Sequence, residues 1–122
     1  MSKQIMVVDD SSSVRNVVGI ALRGAGYEVI EAVDGMDALN KLDGRKVHLV
    51  ISDVNMPNMD GLTLLKRVKA HPNYKFTPVM MLTTEAGADK KNIGRTEGAK
   101  AWMVKPFKPE QIIAAVQKLV AP

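Results

Sequence analysis

Residues His48-Leu49-Val50-Ile51-Ser52-Asp53-Val54-Asn55-Met56-Pro57 run from an apolar, β-branched segment into a carboxylate and then a proline. With no Gly or Pro inside it, the first half reads as a strand covered on both faces, the form that strands take in parallel sheets. Aspartate is depleted from strand interiors and costly to bury. Asp53 therefore marks the carboxyl end of the strand, and Pro57 turns the chain soon afterwards. The carboxyl ends of parallel strands are where open α/β sheets bind ligands. The same pattern recurs on either side. Lys3 to Val8 forms an earlier strand, apolar through Ile5-Met6-Val7-Val8, and stops on Asp9 and Asp10. Pro78 opens a later strand, Val79-Met80-Met81-Leu82, that stops on Thr83, and Ala101-Trp102-Met103-Val104 stops on Lys105.

Helical spacing fills the intervals. Ser11, Ser12 and Ser13 offer N-caps to a stripe of Val14, Val17, Val18, Ala21 and Leu22, ended by Gly24 and Gly26. Tyr27 to Glu31 reads as a further strand. Asp34-Gly35 turns the chain into a short helix marked by Ala38, Leu39 and Leu42, ending near Gly44. Asp60 caps a helix that faces Gly61, Leu64, Leu65 and Val68 inward, and His71-Pro72-Asn73 breaks it. A weaker helix is expected from about Ala86 to Glu97, closed by Gly98, with Ile93 its one large apolar member. Having least to bury, it is expected to be the most mobile. Pro109 suits the first turn of a final helix with the stripe Ile112, Ile113, Val116, Leu119 and Val120. Five strands alternating with five helices predict an α/β fold: parallel βαβ units, right-handed crossovers, and helices on both faces of one sheet.

A length of 122 residues suits one domain, 1–122, with no linker, repeat or attached output domain. The chain has no cysteine, which excludes disulfides and thiolate metal sites. Its apolar runs are too short to span a bilayer and no signal peptide opens it, so a cytoplasmic protein without membrane insertion is expected. The net charge of +4 would suit nucleic acid, but Lys and Arg are scattered and no arginine-rich arm or RNA-binding aromatic signature is present. Nucleic acid is not expected as a partner. His48 and His71 lack metal-spaced partners, and Met6, Met80, Met81 and Met103 belong to strand cores.

Four strand ends thus deliver Asp9, Asp10, Asp53, Thr83 and Lys105 to one edge of the sheet. Singly, each has a plain explanation: turn or cap residues for the acids, strand filler for Thr83, a surface charge for Lys105. Together they are far more specific. Two carboxylates about 4 Å apart repel by roughly 4 kcal/mol at an effective dielectric near 20, so three call for a cation. Oxygen ligands with room for water and a phosphate oxygen suit Mg²⁺ better than zinc. A carboxylate beside such an ion can accept a phosphoryl group, with Lys105 and Thr83 as partners for the added charge. No Gly-rich phosphate loop is present, so ATP is not the expected donor.

Asp9-Asp10, Asp53, Thr83 and Lys105-Pro106-Phe107 resemble the response-regulator receiver domain, nearest to the single-domain chemotaxis regulators of the CheY type, over the whole chain. The resemblance implies a flavodoxin-like (βα)5 sheet of order 2-1-3-4-5. It implies Asp53 as phosphoacceptor, and Mg²⁺ held by Asp10, Asp53 and the Asn55 backbone carbonyl, with Asp9 acting through water. Thr83 and Lys105 would sense the phosphoryl group, and Lys105-Pro106 would be a cis peptide. The implied donor is a phosphohistidine on a sensor histidine kinase. The implied partners are a downstream target such as a flagellar motor switch and a phosphatase, with the chain itself a monomer.

Two positions depart from the family's habit. Trp102 stands where tyrosine or phenylalanine is the more familiar switch aromatic, and its indole N–H needs a partner when buried. Thr84 is bulkier than the usual occupant. Asn55, Thr84 and Glu85 are the expected tuners of phosphoryl lifetime. A basic readout face is expected from the helix around 86–97, the fifth strand and the final helix, carrying Lys90, Lys91, Arg95, Lys100 and Lys108 toward an acidic partner. The leading reading is a phosphorylation-activated two-component switch, not an enzyme beyond its own phosphorylation and dephosphorylation. A phosphate sink or relay, a Mg²⁺-dependent phosphatase and a flavodoxin-like cofactor binder are the alternatives. The acids that stand where a cofactor's phosphate loop would lie disfavour the last.

Overall fold

The computed structural model describes residues 3–54, 56, 58–83 and 98–120. Five strands form one sheet: β1 (Gln4–Val8), β2 (Glu28–Ala32), β3 (Leu49–Asp53), β4 (Val79–Thr83) and β5 (Ala101–Val104). Their order is β2-β1-β3-β4-β5 and every neighbouring pair is parallel. Among the described residues the helices are α1 (Ser12–Gly24), α2 (Gly35–Lys41), α3 (Gly61–Ala70) and α4 (Pro109–Leu119). The helix expected over 86–97 lies outside the described residues, as do Asn55, Thr84, Glu85, Lys90, Lys91 and Arg95.

Alternation along the strands sorts the side chains into two cores. Met6, Val8, Val50, Val79 and Met81 pack with Ala38 and Leu42 of the α2 segment and with Leu64, Leu65 and Val68 of α3. Ile5, Val7, Leu49, Ile51, Met80 and Leu82 pack with Val18 and Leu22 of α1 and with Ile112 and Val116 of α4. Helices therefore cover both faces, and β1, β3 and β4 are apolar on each side because each side is buried. Each fully buried side chain of this kind contributes roughly 1.5–3 kcal/mol. Met103 is only partly buried, packed against the second core on the edge strand.

Two local expectations shift. The second strand begins at Glu28 rather than Tyr27, because the Tyr27 N–H is engaged by the Leu22 carbonyl at 3.0 Å in the turn that closes α1. Gly26, with φ of 95°, makes that turn. Val17, expected on the inward stripe of α1, is 47% exposed. It lies one residue, or about 100° of helix, from the buried line through Val18 and Leu22.

Pairing sets the depth of the strand ends. Val8 stands opposite Ser52, so Asp9 follows level with Asp53. Asp53 pairs with Leu82, and Thr83 with Val104. No helix among the described residues is long and apolar enough to cross a membrane.

Candidate functional site: an acidic pocket at the strand ends

Asp9 leaves β1 almost wholly buried, at 1% exposure. Its Oδ1 accepts the Ser11 N–H at 2.9 Å, a local turn typical of Asp. Ser11 Oγ in turn accepts the Val14 N–H at 3.3 Å and caps α1. The Arg15 guanidinium donates to the Asp9 carbonyl. The acid is thereby fixed in direction, and Asp10 beside it is left exposed. Asp53 ends β3 at 7% exposure, its Oδ1 accepting the Val54 N–H at 2.9 Å. Asp9, Asp10 and Asp53 each offer one oxygen, all within 4.8 Å of one another.

Lys105 reaches in from the end of β5. Its Nζ donates to Asp9 Oδ2 at 2.9 Å and lies 3.4 Å from Asp53 Oδ1. Its own N–H donates to the Thr83 carbonyl at 2.7 Å, which ties the ends of β4 and β5 together. Thr83 is fully buried. The Lys105-Pro106 peptide is cis. An open apolar groove of about 450 Å³ adjoins Lys105, lined by Val14, Val17, Pro106 and Phe107.

Burial, then the Asp9 charge, raises the Asp53 carboxyl above its usual range, and Lys105 only partly opposes this. Burial alone would lower the Lys105 ammonium. The hydrogen bond and charge of Asp9, with the charge of Asp53, outweigh it and raise the lysine. One ammonium among three carboxylates leaves the pocket with surplus negative charge. An all-oxygen set of this kind fits a hard divalent cation such as Mg²⁺.

The fold therefore gathers Asp9, Asp10, Asp53 and Lys105, with Thr83 at the neighbouring strand end, as their positions in the sequence predict. Trp102 lies half-buried against the α2/α3 core, and its Nε1 has no hydrogen-bond partner among the described residues. Lys100 and Lys108 are exposed. His48 plays a structural part: its Nδ1 accepts the Gln4 N–H at 3.0 Å.

Sequence reading turned Gly61 inward but missed its part in the site. A Cβ there would stand 2.0 Å from the Asp53 carbonyl oxygen, so glycine is what lets α3 start against the acid's backbone. Asp60-Gly61 after the turn was the available signal, legible as a cap but not as a close approach.

The comparisons with known proteins point the same way. Residues 5–117 match the response regulator receiver domain family. Chemotaxis protein CheY1 of Helicobacter pylori is 40% identical over 109 residues, 88% of each chain. Protein PilG of Pseudomonas aeruginosa is 34% identical over 114 residues, 93% of this chain and 84% of that one. The solved structure of chemotaxis protein CheY4 from Vibrio cholerae superposes with a TM-score of 0.94 at 44% identity, covering 98% of this chain and all of that one. With the sheet order and the strand-end acids in place, this chain belongs to the response regulator receiver domain family, among its CheY-like members.

Proposed function

We propose that this chain is a phosphorylation-activated switch of two-component signalling in chemotaxis, and that Asp53 is its phosphoacceptor. The observation that carries the reading is the set of three acids within 4.8 Å, crossed by one lysine, at the carboxyl edge of the sheet. Asp10, Asp53 and the Asn55 backbone carbonyl would hold Mg²⁺, with Asp9 acting through water. Bound there, Mg²⁺ would neutralise the acids and the oxygens of the incoming phosphoryl group.

The protein's own groups do the rest. A carboxylate oxygen of Asp53 attacks the phosphorus of a phosphohistidine on a sensor kinase. The P–O bond forms as the P–N bond breaks, and the electron pair of that bond remains on the imidazole nitrogen. The Lys105 ammonium, shared between Asp9 and Asp53, passes to a phosphoryl oxygen. The Thr83 hydroxyl donates to another. Water later attacks the phosphorus, releasing phosphate and restoring the carboxylate, at a rate set by Asn55, Thr84 and Glu85. The apolar groove beside Lys105 offers the donor domain a place to rest.

Trp102 is the proposed reporter of the switch. A buried donor with no partner among the described residues disfavours its present placement by about 1–3 kcal/mol, which supports a second rotamer. The basic face that includes Lys100 and Lys108 is proposed to dock an acidic target, with affinity that falls as salt rises.

The test is phosphotransfer from candidate histidine kinases to the wild type and to Asp53→Asn, followed by pull-down of targets. Label is expected on the wild type alone, with a shift in Trp102 emission. Label retained by Asp53→Asn would overturn the assignment, and unchanged emission would remove Trp102 from the switch. The captured target distinguishes motor control from a phosphate-sink or relay role.

A further inference from the structure

The connection from β3 to α3 is gripped from outside the acidic pocket. Asn58 sits in it with φ of 68°, a left-handed conformation that asparagine tolerates. Its Nδ2–H donates to Asp34 Oδ2 at 2.8 Å, a bond between residues 24 apart in sequence. The other Asp34 oxygen accepts the Asp37 N–H at 2.8 Å and caps α2. Asp34 is 8% exposed with both oxygens engaged. The Asp37 N–H, followed by the Asn58 amide, holds its carboxyl below the usual range. Asp34 is not one of the pocket's acids: it follows β2, on the far side of β1.

Two further described points of the connection are also tightly held. A Cβ on Gly35 would lie 2.8 Å from Met59, whose side chain is buried in the α2/α3 core. At the far end the Gly61 N–H donates to the Val54 carbonyl at 2.8 Å. The chain returning to α3 is thus held at Asn58 by Asp34, at Met59 by the close approach of Gly35, and at Gly61 by the Val54 carbonyl.

We propose that Asp34 and Asn58 form a positioning pair for the acidic pocket: by fixing the course of the β3–α3 connection, they set its affinity for a divalent cation and the rate at which Asp53 accepts a phosphoryl group. The second half rests on the reading of Asp53 as phosphoacceptor, the first half does not.

Two variants separate the grip from the helix cap. Asp34→Ser keeps one acceptor for the cap but has none left for Asn58. Asn58→Gly keeps the left-handed backbone but removes the amide. Outer residues that orient a metal site typically alter its affinity by about 10–100-fold. Each variant is expected to weaken Mg²⁺ binding, measured by calorimetry, by about tenfold. Exchange of the Gly61 amide should accelerate, and acetyl phosphate should label Asp53 more slowly at subsaturating Mg²⁺. The double variant should be no worse than either single one, because both break the same bond. Mg²⁺ affinities within about twofold of wild type, or losses that add in the double variant, overturn the pair whatever the melting temperatures do. If the Mg²⁺ losses appear but wild-type Asp53 is never labelled, the phosphoacceptor reading fails and the positioning pair stands.

Discussion

At the scale of single residues, the pocket is a balance between burial and charge. Asp53 is pushed up by burial and by Asp9, so in the cation-free protein its ionised form opposes folding. A raised folded pKa stabilises below the unfolded value near 3.8 and loses that contribution as pH rises through the folded value. Cation-free Asp53→Asn, which keeps an oxygen for the Val54 N–H, is therefore expected to melt higher than wild type at neutral pH. A gain of about 1 kcal/mol corresponds to roughly 3–5 °C for a chain of this length. The gap should close as pH falls through the folded pKa of Asp53. Thermal melts across that range check it, and equal melting at neutral pH would count against the charge balance described.

At the scale of elements, helix α3 is the one whose start is constrained by the site. Asp60 caps it through the Thr63 N–H at 2.8 Å, and Gly61 gives it zero clearance over the Asp53 carbonyl. Gly61→Ala must displace backbone, not a flexible side chain. It is expected to cost about 3 kcal/mol or more, the upper end for overpacking, and to lower Mg²⁺ affinity at the same time. Gly24→Ala, with nothing within 4 Å of the added carbon, is the control. Chemical denaturation of the two variants reads the difference, and a Gly61→Ala protein as stable as the control would refute the close approach. Helix caps and inward faces were readable from sequence because they depend on neighbours in the chain: Ser11, Asp60 and the Leu64-Leu65-Val68 face stand where they were expected, while Asp34, read as a turn residue, also caps α2. Val17 was misplaced because helical spacing alone does not say where the buried arc ends. The Asp34–Asn58 bond and the Gly61 contact were not readable because each depends on how two separately folded segments meet.

Across the whole molecule, the parallel sheet turns strand ends into a site. That consequence was legible, since alternating elements force the carboxyl ends to one edge, and the acids, Thr83 and Lys105 were placed correctly on it. The energetic cost of gathering them was visible only once the distances were known. A cation that binds the folded pocket and not the unfolded chain stabilises by mass action, about 2.7 kcal/mol at roughly a hundredfold excess over its Kd. Adding Mg²⁺ is thus expected to raise the melting temperature of wild type and to leave Asp53→Asn and Asp10→Asn nearly unmoved. Melts with and without chelator check this, and an equal rise in all three proteins would place the cation elsewhere.

The acids of the pocket stand at the ends of β1 and β3, strands flanked on both sides, whereas the ammonium that answers them comes from β5, which is bonded to β4 alone. Charge at the centre of the sheet therefore pulls on its rim. Anything that cancels the anionic surplus would slacken that pull, and the rim strand that bears the half-buried Trp102 is where the release is expected to be felt.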